Sequence, residues 1–329
     1  MKILIYSSVF YPSIGGIENL TLALAREFVK SGHEVRVITE QLQKADAPLE
    51  GIEVVHSSHA LTQLKLFYWC DVLYMPNITL KGLWLFIFNP FKKWVISHND
   101  FHLSNTKGRR TWLKNVVIRA TARNISVSRS VALALPVVST VIYNCYNDAV
   151  FRLYADELRE TDFLFVGRLV SQKGCDMLIE ACSRLRRAFR LSIVGDGAEL
   201  AGLSARVEAL GLSDRIVFLG FMRDEQLART MGRHRVMIVP SVGAEGFGIV
   251  ALEGLACGCR MLVSDAGGLP EAVGPFGDVF PMGNVDALVA LLGECLARPE
   301  VDQMTAAKTA FLQDHSAPKV ARRYLDFFA

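Results

Sequence analysis

Apolar residues recur along this chain in short runs, separated by stretches with helical periodicity. Residues 2–6 form the first run. Leu20, Leu22, Leu24, Phe28 and Val29 then mark one face of a helix over 20–31 that Gly32 ends, and residues 34–39 alternate as a strand does. This is a βαβ unit. Further apolar runs at 72–75, 94–97, 124–127 and 140–143 come at intervals suited to a parallel sheet, so the first domain reads as Rossmann-like. After a polar, charged stretch at 154–161 the pattern starts again. It predicts strands at 162–166, 191–194, 216–219, 236–240 and 260–264, with helices over 175–189 and 249–256. The recurrence is one of architecture, because no period of about 20 to 50 residues marks a solenoid.

Length makes the same division. A chain of 329 residues, 51% of them apolar, exceeds what one hydrophobic core usually holds. The expected domains are 1–153 and 160–311, N-terminal and C-terminal and both Rossmann-like, with a helix over about 312–329 packing back on the first. No stretch approaches the roughly 18 to 20 apolar residues of a bilayer-spanning helix, and the longest candidate, 82–91, stops at Pro90, Lys92 and Lys93. The opening run mimics a signal peptide but leads straight into a Pro/Gly loop without a small-residue cleavage site, as a first buried strand does. Seven cysteines, an odd number without any C-x-x-C, indicate neither a disulfide framework nor a zinc site, so a reducing, cytoplasmic location is expected. The net charge of +3 hides an asymmetry, +6 over residues 1–150 against −3 over 151–329.

The strongest chemical signal is Glu245-Gly246-Phe247-Gly248-Ile249-Val250-Ala251-Leu252-Glu253. It sets a loop carboxylate against a second one about a turn into the following helix, with glycines that let backbone N–H groups approach a ligand closely. A helix N-terminus binds phosphate, and carboxylates accept hydrogen bonds from vicinal hydroxyls, so one segment can hold a sugar phosphate at both ends. As a solvated loop residue and an ordinary helix charge the pair would be unremarkable, but Glu253 sits in an otherwise apolar helix, where an unpaired carboxylate is costly. The second signal is Gly167-Arg168-Leu169-Val170-Ser171-Gln172-Lys173-Gly174, directly after an apolar strand, where ligands of open α/β sheets gather. Two cations in a loop are commonplace; their place after the strand singles them out. No D-x-D and no cluster with metal-ligand spacing occurs, so leaving-group charge falls to Arg168, Lys173 and helix dipoles, and neither a metal nor another cofactor is expected.

With these residues the chain resembles the retaining glycosyltransferases of family 4, whose GT-B fold consists of two facing Rossmann-like domains with a cleft between them. The resemblance runs through nearly the whole length. It is carried by Phe10-Tyr11-Pro12-Ser13-Ile14-Gly15-Gly16-Ile17-Glu18, Ser31-Gly32-His33-Glu34-Val35, Val127-Ser128, Val141-Ile142-Tyr143-Asn144, residues 166–174 and Val194-Gly195-Asp196-Gly197. Pro240-Ser241, the glutamate pair and Gly267-Gly268-Leu269-Pro270-Glu271 complete it. The resemblance implies that Glu245 holds donor-sugar hydroxyls, Glu253 the ribose, Arg168 and Lys173 the diphosphate, and Gly16 the phosphate from across the cleft. It further implies that Gly220, Phe221 and Met222 flank the base, that Gly248, Ile249 and Val250 meet the donor sugar and phosphate, and that Gly195 and Phe247 belong to the donor site. His98, after an apolar strand, matches the family's histidine beside the transferred sugar. Two departures stand out: Pro76-Asn77 where many relatives carry histidines, and Cys259-Arg260 in place of a small residue and proline.

The resulting expectation is a retaining, metal-independent glycosyltransferase that moves a hexose, first glucose from UDP-glucose and second mannose from GDP-mannose. Its acceptor would be a saccharide or lipid-linked saccharide in polysaccharide or glycolipid assembly. A double displacement would need a carboxylate nucleophile, for which Asp100 is the nearest candidate, whereas the resemblance implies same-face attack. Three rivals remain: an oxidoreductase, though no G-x-G-x-x-G follows the first strand; a GT-B nucleotide-sugar epimerase; and a non-catalytic sugar-binding relative. Nucleic acid is not an expected partner. Peripheral contact with the inner face of an anionic membrane is suggested by Lys92, Lys93, Lys107, Arg109, Arg110, Lys114, Arg119 and Arg123 near Trp84-Leu85-Phe86-Ile87-Phe88. The alternative is that those aromatics are core and the cations ordinary solvated faces.

Overall fold

Strands that are hydrophobic on both faces belong in parallel sheets covered by helices on either side, and most of the predicted runs take that place. The structure, a computed structural model of the chain, describes residues 1–11, 15–40, 49–101, 114–116, 118–119, 123–154, 157–298 and 304–329. These form two units, Met1–Cys145 with Asp314–Ala329, and Tyr146–Gln313. Of the sequence features above, Pro12, Ser13, Ile14, Lys107, Arg109 and Arg110 lie outside the described residues.

The first unit is a seven-stranded parallel sheet made of β1 (Lys2–Tyr6), β2 (Glu34–Thr39), β3 (Ile52–His56), β4 (Val72–Pro76), β5 (Lys93–His98), β6 (Arg123–Ser126) and β7 (Thr140–Val141). The strand order β3-β2-β1-β4-β5-β6-β7 reverses between β1 and β4. Helix α1 (Gly16–Lys30) starts four residues before its apolar face does, and buries Leu20, Leu24 and Phe28. Among the described residues α2 (Ala60–Trp69) and α3 (Arg129–Ala134) follow. The aromatic run after β4 is divided. Leu85 is wholly buried and Phe86 stacks on Trp94 at 4.0 Å, whereas Ile87, Phe88 and Phe91 are 82%, 50% and 95% exposed. The C-terminal helix, Ala317–Phe328, belongs to this unit: Phe328 meets Phe28 edge-on at 5.5 Å, and Tyr324 meets Tyr74 at 5.6 Å.

The second unit is a six-stranded parallel sheet of β8 (Thr161–Val166), β9 (Leu191–Val194), β10 (Ile216–Gly220), β11 (His234–Val239), β12 (Arg260–Ser264) and β13 (Gly277–Phe280). Its order, β10-β9-β8-β11-β12-β13, reverses between β8 and β11. The helices are α4 (Cys175–Ser183), α5 (Leu200–Ala209), α6 (Asp224–Gly232), α7 (Ile249–Ala256), α8 (Leu269–Val273), α9 (Val285–Ala297) and α10 (Ala306–Asp314). The predicted helix 175–189 is thus cut short. Its last turn tightens through i to i+3 bonds, Arg184 N–H to the Ala181 carbonyl and Leu185 N–H to that of Cys182. Phe189 then turns in to pack on Phe163. Within α7, a Cβ at Gly254 would lie 2.5 Å from Met237 Sδ and 2.9 Å from Met261 Sδ, so glycine lets this helix lie close against β11 and β12. All seven cysteines are free and buried. No helix among the described residues is long and apolar enough to cross a membrane.

Candidate functional site

In open α/β sheets ligands collect beyond the carboxyl ends of the strands, where the strand order reverses. In the second unit that point lies between β8 and β11. The loop leaving β8 carries Arg168 and Lys173; the loop leaving β11 carries Glu245. Backbone bonds tie these loops and their neighbours together: Leu169 N–H to Asp196 carbonyl (2.8 Å), Gly195 N–H to Gly220 carbonyl (2.9 Å) and Val242 N–H to Gln172 carbonyl (2.9 Å). The approach is close enough to require glycine. At Gly174, with φ +67°, a Cβ would sit 2.0 Å from the Pro240 carbonyl oxygen, and at Gly195 it would sit 1.9 Å from that of Gly167.

The structure brings Lys173 and Glu245 into direct contact. Lys173 Nζ lies 2.5 Å from Glu245 Oε1, which also accepts the Ser241 hydroxyl at 2.7 Å. Ser241 is fully buried, and the Ser264 hydroxyl in turn donates to its carbonyl at 2.7 Å. Glu245 is therefore half-buried, neutralised and fixed, while its second oxygen takes no hydrogen bond from a described residue. Arg168, by contrast, is exposed and forms no ion pair among the described residues. Ser241 carries no signal of this role in the sequence beyond its place directly after the β11 run, in the segment that ends at Glu245.

Beyond Glu245 the chain turns into α7. Gly248 is its N-cap in the left-handed region (φ 96°, ψ 57°), where a side chain would be strained and would meet Leu269 Cδ2 at 2.3 Å. Gly268 N–H donates to the Glu245 carbonyl at 2.8 Å, and a Cβ on Gly268 would come within 2.3 Å of the Gly246 carbonyl oxygen. The first N–H groups of α7, from Ile249 and Val250, have no acceptor within the helix, and both residues are partly exposed. Phe247 is buried, which leaves only its backbone to meet a ligand.

Glu253 lies one turn further on. The residue is partly exposed, and burial of much of its side chain, with the charge of Asp224 adding to it, pushes the carboxyl group up to about 8. No described residue donates a hydrogen bond to that carboxyl group. Desolvation of this kind without a partner is costly unless a ligand supplies the donors. Asp224 itself adopts φ +50° at the start of α6, just after Gly220 (φ +73°), the exposed Phe221 and Met222, whose sulfur accepts the Thr230 hydroxyl at 3.3 Å. Asp224 was not singled out in the sequence, because an acidic residue opening a helix is ordinary.

Gly16 and His98 belong to the first unit. Gly16 opens α1, where the Glu18 carboxylate folds back so closely that a Cβ on Gly15 would meet it at 2.1 Å. His98 ends β5 fully buried, its Nε2 2.9 Å from Asn124 Oδ1.

Comparison with known proteins fits this geometry. Residues 154–310 match the family described as glycosyl transferases group 1. Over 145 residues the chain is 37% identical to the GDP-mannose-dependent alpha-(1-6)-phosphatidylinositol monomannoside mannosyltransferase of Mycolicibacterium smegmatis, which covers 41% of this chain and 38% of that protein. Over 255 residues it is 30% identical to the D-inositol 3-phosphate glycosyltransferase of Mycobacteroides abscessus, covering 75% of this chain and 54% of the relative. The chain thus spans about two fifths to just over half the length of these curated relatives. Anabaena Alr3699/HepE, solved in complex with UDP, has the same fold, with a TM-score of 0.83 at 20% identity over 99% of both chains. The fold is GT-B, built of two parallel-sheet Rossmann-like units.

Proposed function

We propose that this chain, whose residues 154–310 match the group 1 glycosyl transferases, is a metal-independent glycosyltransferase using a nucleotide-sugar donor bound by the second unit. The observation that carries the proposal is Glu253, a partly buried carboxyl with a raised pKa and no hydrogen-bond donor among the described residues, one helical turn from the N–H groups that open α7. A ribose diol supplies two O–H donors, and a phosphate takes N–H donors; a nucleoside diphosphate carries both groups. Glu245, held by Lys173 and Ser241, keeps an oxygen for a hydroxyl of the transferred sugar. Arg168 and Lys173 neutralise the diphosphate. The donor we infer is a UDP-hexose, with glucose first and GDP-mannose second, and the acceptor a saccharide or lipid-linked saccharide. For Gly16 and His98 the family resemblance implies roles at the donor phosphate and the transferred sugar.

Transfer with retention follows if the acceptor attacks on the face the diphosphate leaves, the departing oxygen taking the acceptor proton. A glycosyl ester trapped on Asp100 would contradict this course. Since charge neutralisation lies with Arg168 and Lys173, transfer is expected to persist in excess EDTA. Loss of activity in EDTA with recovery on adding magnesium would sink the assignment.

We also propose peripheral contact with an anionic membrane through Ile87, Phe88 and Phe91, which the structure leaves exposed just before Lys92 and Lys93 in the chain. Apolar side chains flanked by cations suit an interfacial site. Vesicles of phosphatidylglycerol should pellet the protein at low salt and release it at high salt, with Phe91→Ala weakening the effect. Failure to pellet at any salt would remove the contact.

A further inference from the structure

Glu245 stands in a loop between Gly243 and Gly246, yet the chain around it is fastened along its length. The Ser264 hydroxyl donates to the Ser241 carbonyl at 2.7 Å. Val242 and Gly243 N–H both donate to the Gln172 carbonyl, at 2.9 and 3.1 Å, and Gly268 N–H donates to the Glu245 carbonyl at 2.8 Å. Ser264 ends β12 and Ser241 follows β11 by two residues, and both are fully buried. With the backbone held in this way, the direction of the Glu245 side chain is what remains to be set. Ser241, four positions earlier, reaches its Oε1 at 2.7 Å.

Two groups share Oε1, and they act differently. Lys173 Nζ lies 2.5 Å away, but an ammonium is a point charge with three rotatable donors on a flexible stem, so it neutralises the carboxylate without fixing its direction. The Ser241 hydroxyl sits on a short, buried side chain borne by a fastened backbone, and its directional hydrogen bond does fix it. Among the described residues that hydroxyl contacts Glu245 alone. Each carboxylate oxygen has two lone pairs. With Oε1 taken twice, Glu245 offers a sugar its Oε2, in one orientation.

Resting on the donor proposed above, we propose that Ser241 is a positioning residue that acts through Glu245 to set which epimer of the donor sugar is accepted. Galactose and mannose carry the same hydroxyl groups as glucose, and each differs from it in the direction of one. A carboxylate held in one orientation accepts that hydroxyl in one configuration, whereas a carboxylate free to turn follows it to either, so the affinities of the two epimers draw together. Ser241→Ala strands no donor, because no described residue donates to the hydroxyl, and Lys173 still neutralises Glu245. The variant should therefore lose selectivity between sugars and keep the nucleotide.

The test is isothermal titration of the full chain, in EDTA, with UDP-glucose, UDP-galactose, GDP-glucose, GDP-mannose, UDP and GDP. On its preferred nucleotide the wild type should separate the two sugars by about tenfold, the scale of one hydrogen bond to a charged group. Ser241→Ala should narrow that separation to about twofold or less, with affinity for the free nucleoside diphosphate within about twofold of the wild type. Ser241→Cys, close in size but only a weak donor, should narrow it too without opening a cavity. No separation in the wild type, or a separation that both variants keep, would overturn the proposal while leaving the donor assignment in place. So would equal losses for nucleotide sugar and free diphosphate, which would make Ser241 a purely structural residue. If the wild type binds no nucleotide sugar at all, the donor assignment itself fails and the role of Ser241 fails with it.

Discussion

Lys173→Ala is expected to lower kcat strongly, with a smaller change in donor KM. Its ammonium already sits in a fixed place, 2.5 Å from a Glu245 oxygen that Ser241 also holds. It therefore needs no reorganisation when negative charge grows on the departing diphosphate, which is the condition for an electrostatic contact worth more in the transition state than in the ground state. Loss of one such contact typically costs about 2.7 to 4 kcal/mol, or roughly 100- to 1000-fold in rate. The variant also strips Glu245 of its counter-charge, so some loss of sugar binding comes with it. Steady-state kinetics with the preferred nucleotide sugar checks this. A rise in KM with kcat intact would mean a ground-state contact only, and would leave Arg168 as the main stabiliser of the leaving group.

Glu253→Gln should weaken nucleotide binding by about ten- to 100-fold, the scale of losing hydrogen bonds to a charged group, and should change how binding depends on pH. In the free protein the carboxyl holds its proton up to about 8 because burial disfavours the charge. The carboxylate, not the acid, accepts both ribose hydroxyls, so wild-type affinity should rise with pH by up to about tenfold per unit below 8 and level off above it. The glutamine variant should show no such slope. Stability moves the other way. An ordinary glutamate ionises near 4.5, so between 4.5 and 8 the folded chain keeps a proton that the unfolded chain has released. This group's contribution is fully present below 4.5 and is lost as pH rises through 8. Without ligand, Glu253→Gln should therefore keep its melting temperature better than the wild type between pH 6 and 9. Parallel melting curves of the two proteins would contradict the burial argument. Glu245→Ala, by comparison, should spare free nucleoside diphosphate and damage use of the sugar nucleotide.

Most strands were legible because a parallel sheet buries both faces of each, and residues such as Ile3, Leu4 and Ile5 or Phe163, Leu164 and Phe165 then read as unbroken apolar runs. The edges were not. β3 carries Glu53 and a half-exposed Val54 and Val55, and β13 buries only Phe280, so neither presents a run long enough to recognise. The end of α4 was hidden too, since Arg184 and Leu185 continue the helical pattern although the chain must turn there to bury Phe189. At the site, the glycines and charges between 167 and 174 and between 245 and 253 could be read from their place after strands. The pairing of Lys173 with Glu245 across 72 positions and the charge of Asp224 near Glu253 depend on the fold, and no local pattern announces them.

The central claim is that the second unit holds a nucleotide sugar through Glu253 and its neighbours. Thermal unfolding of the full chain, in EDTA, against UDP-glucose, UDP-galactose, GDP-mannose and NAD tests it most directly, because a ligand bound only by the folded state raises stability as RT ln(1 + [L]/Kd). The account predicts a saturable rise in melting temperature with at least one nucleotide sugar, none with NAD, and a much reduced rise in Glu253→Ala. A rise with NAD alone, or a nucleotide-sugar effect that Glu253→Ala leaves untouched, would contradict it.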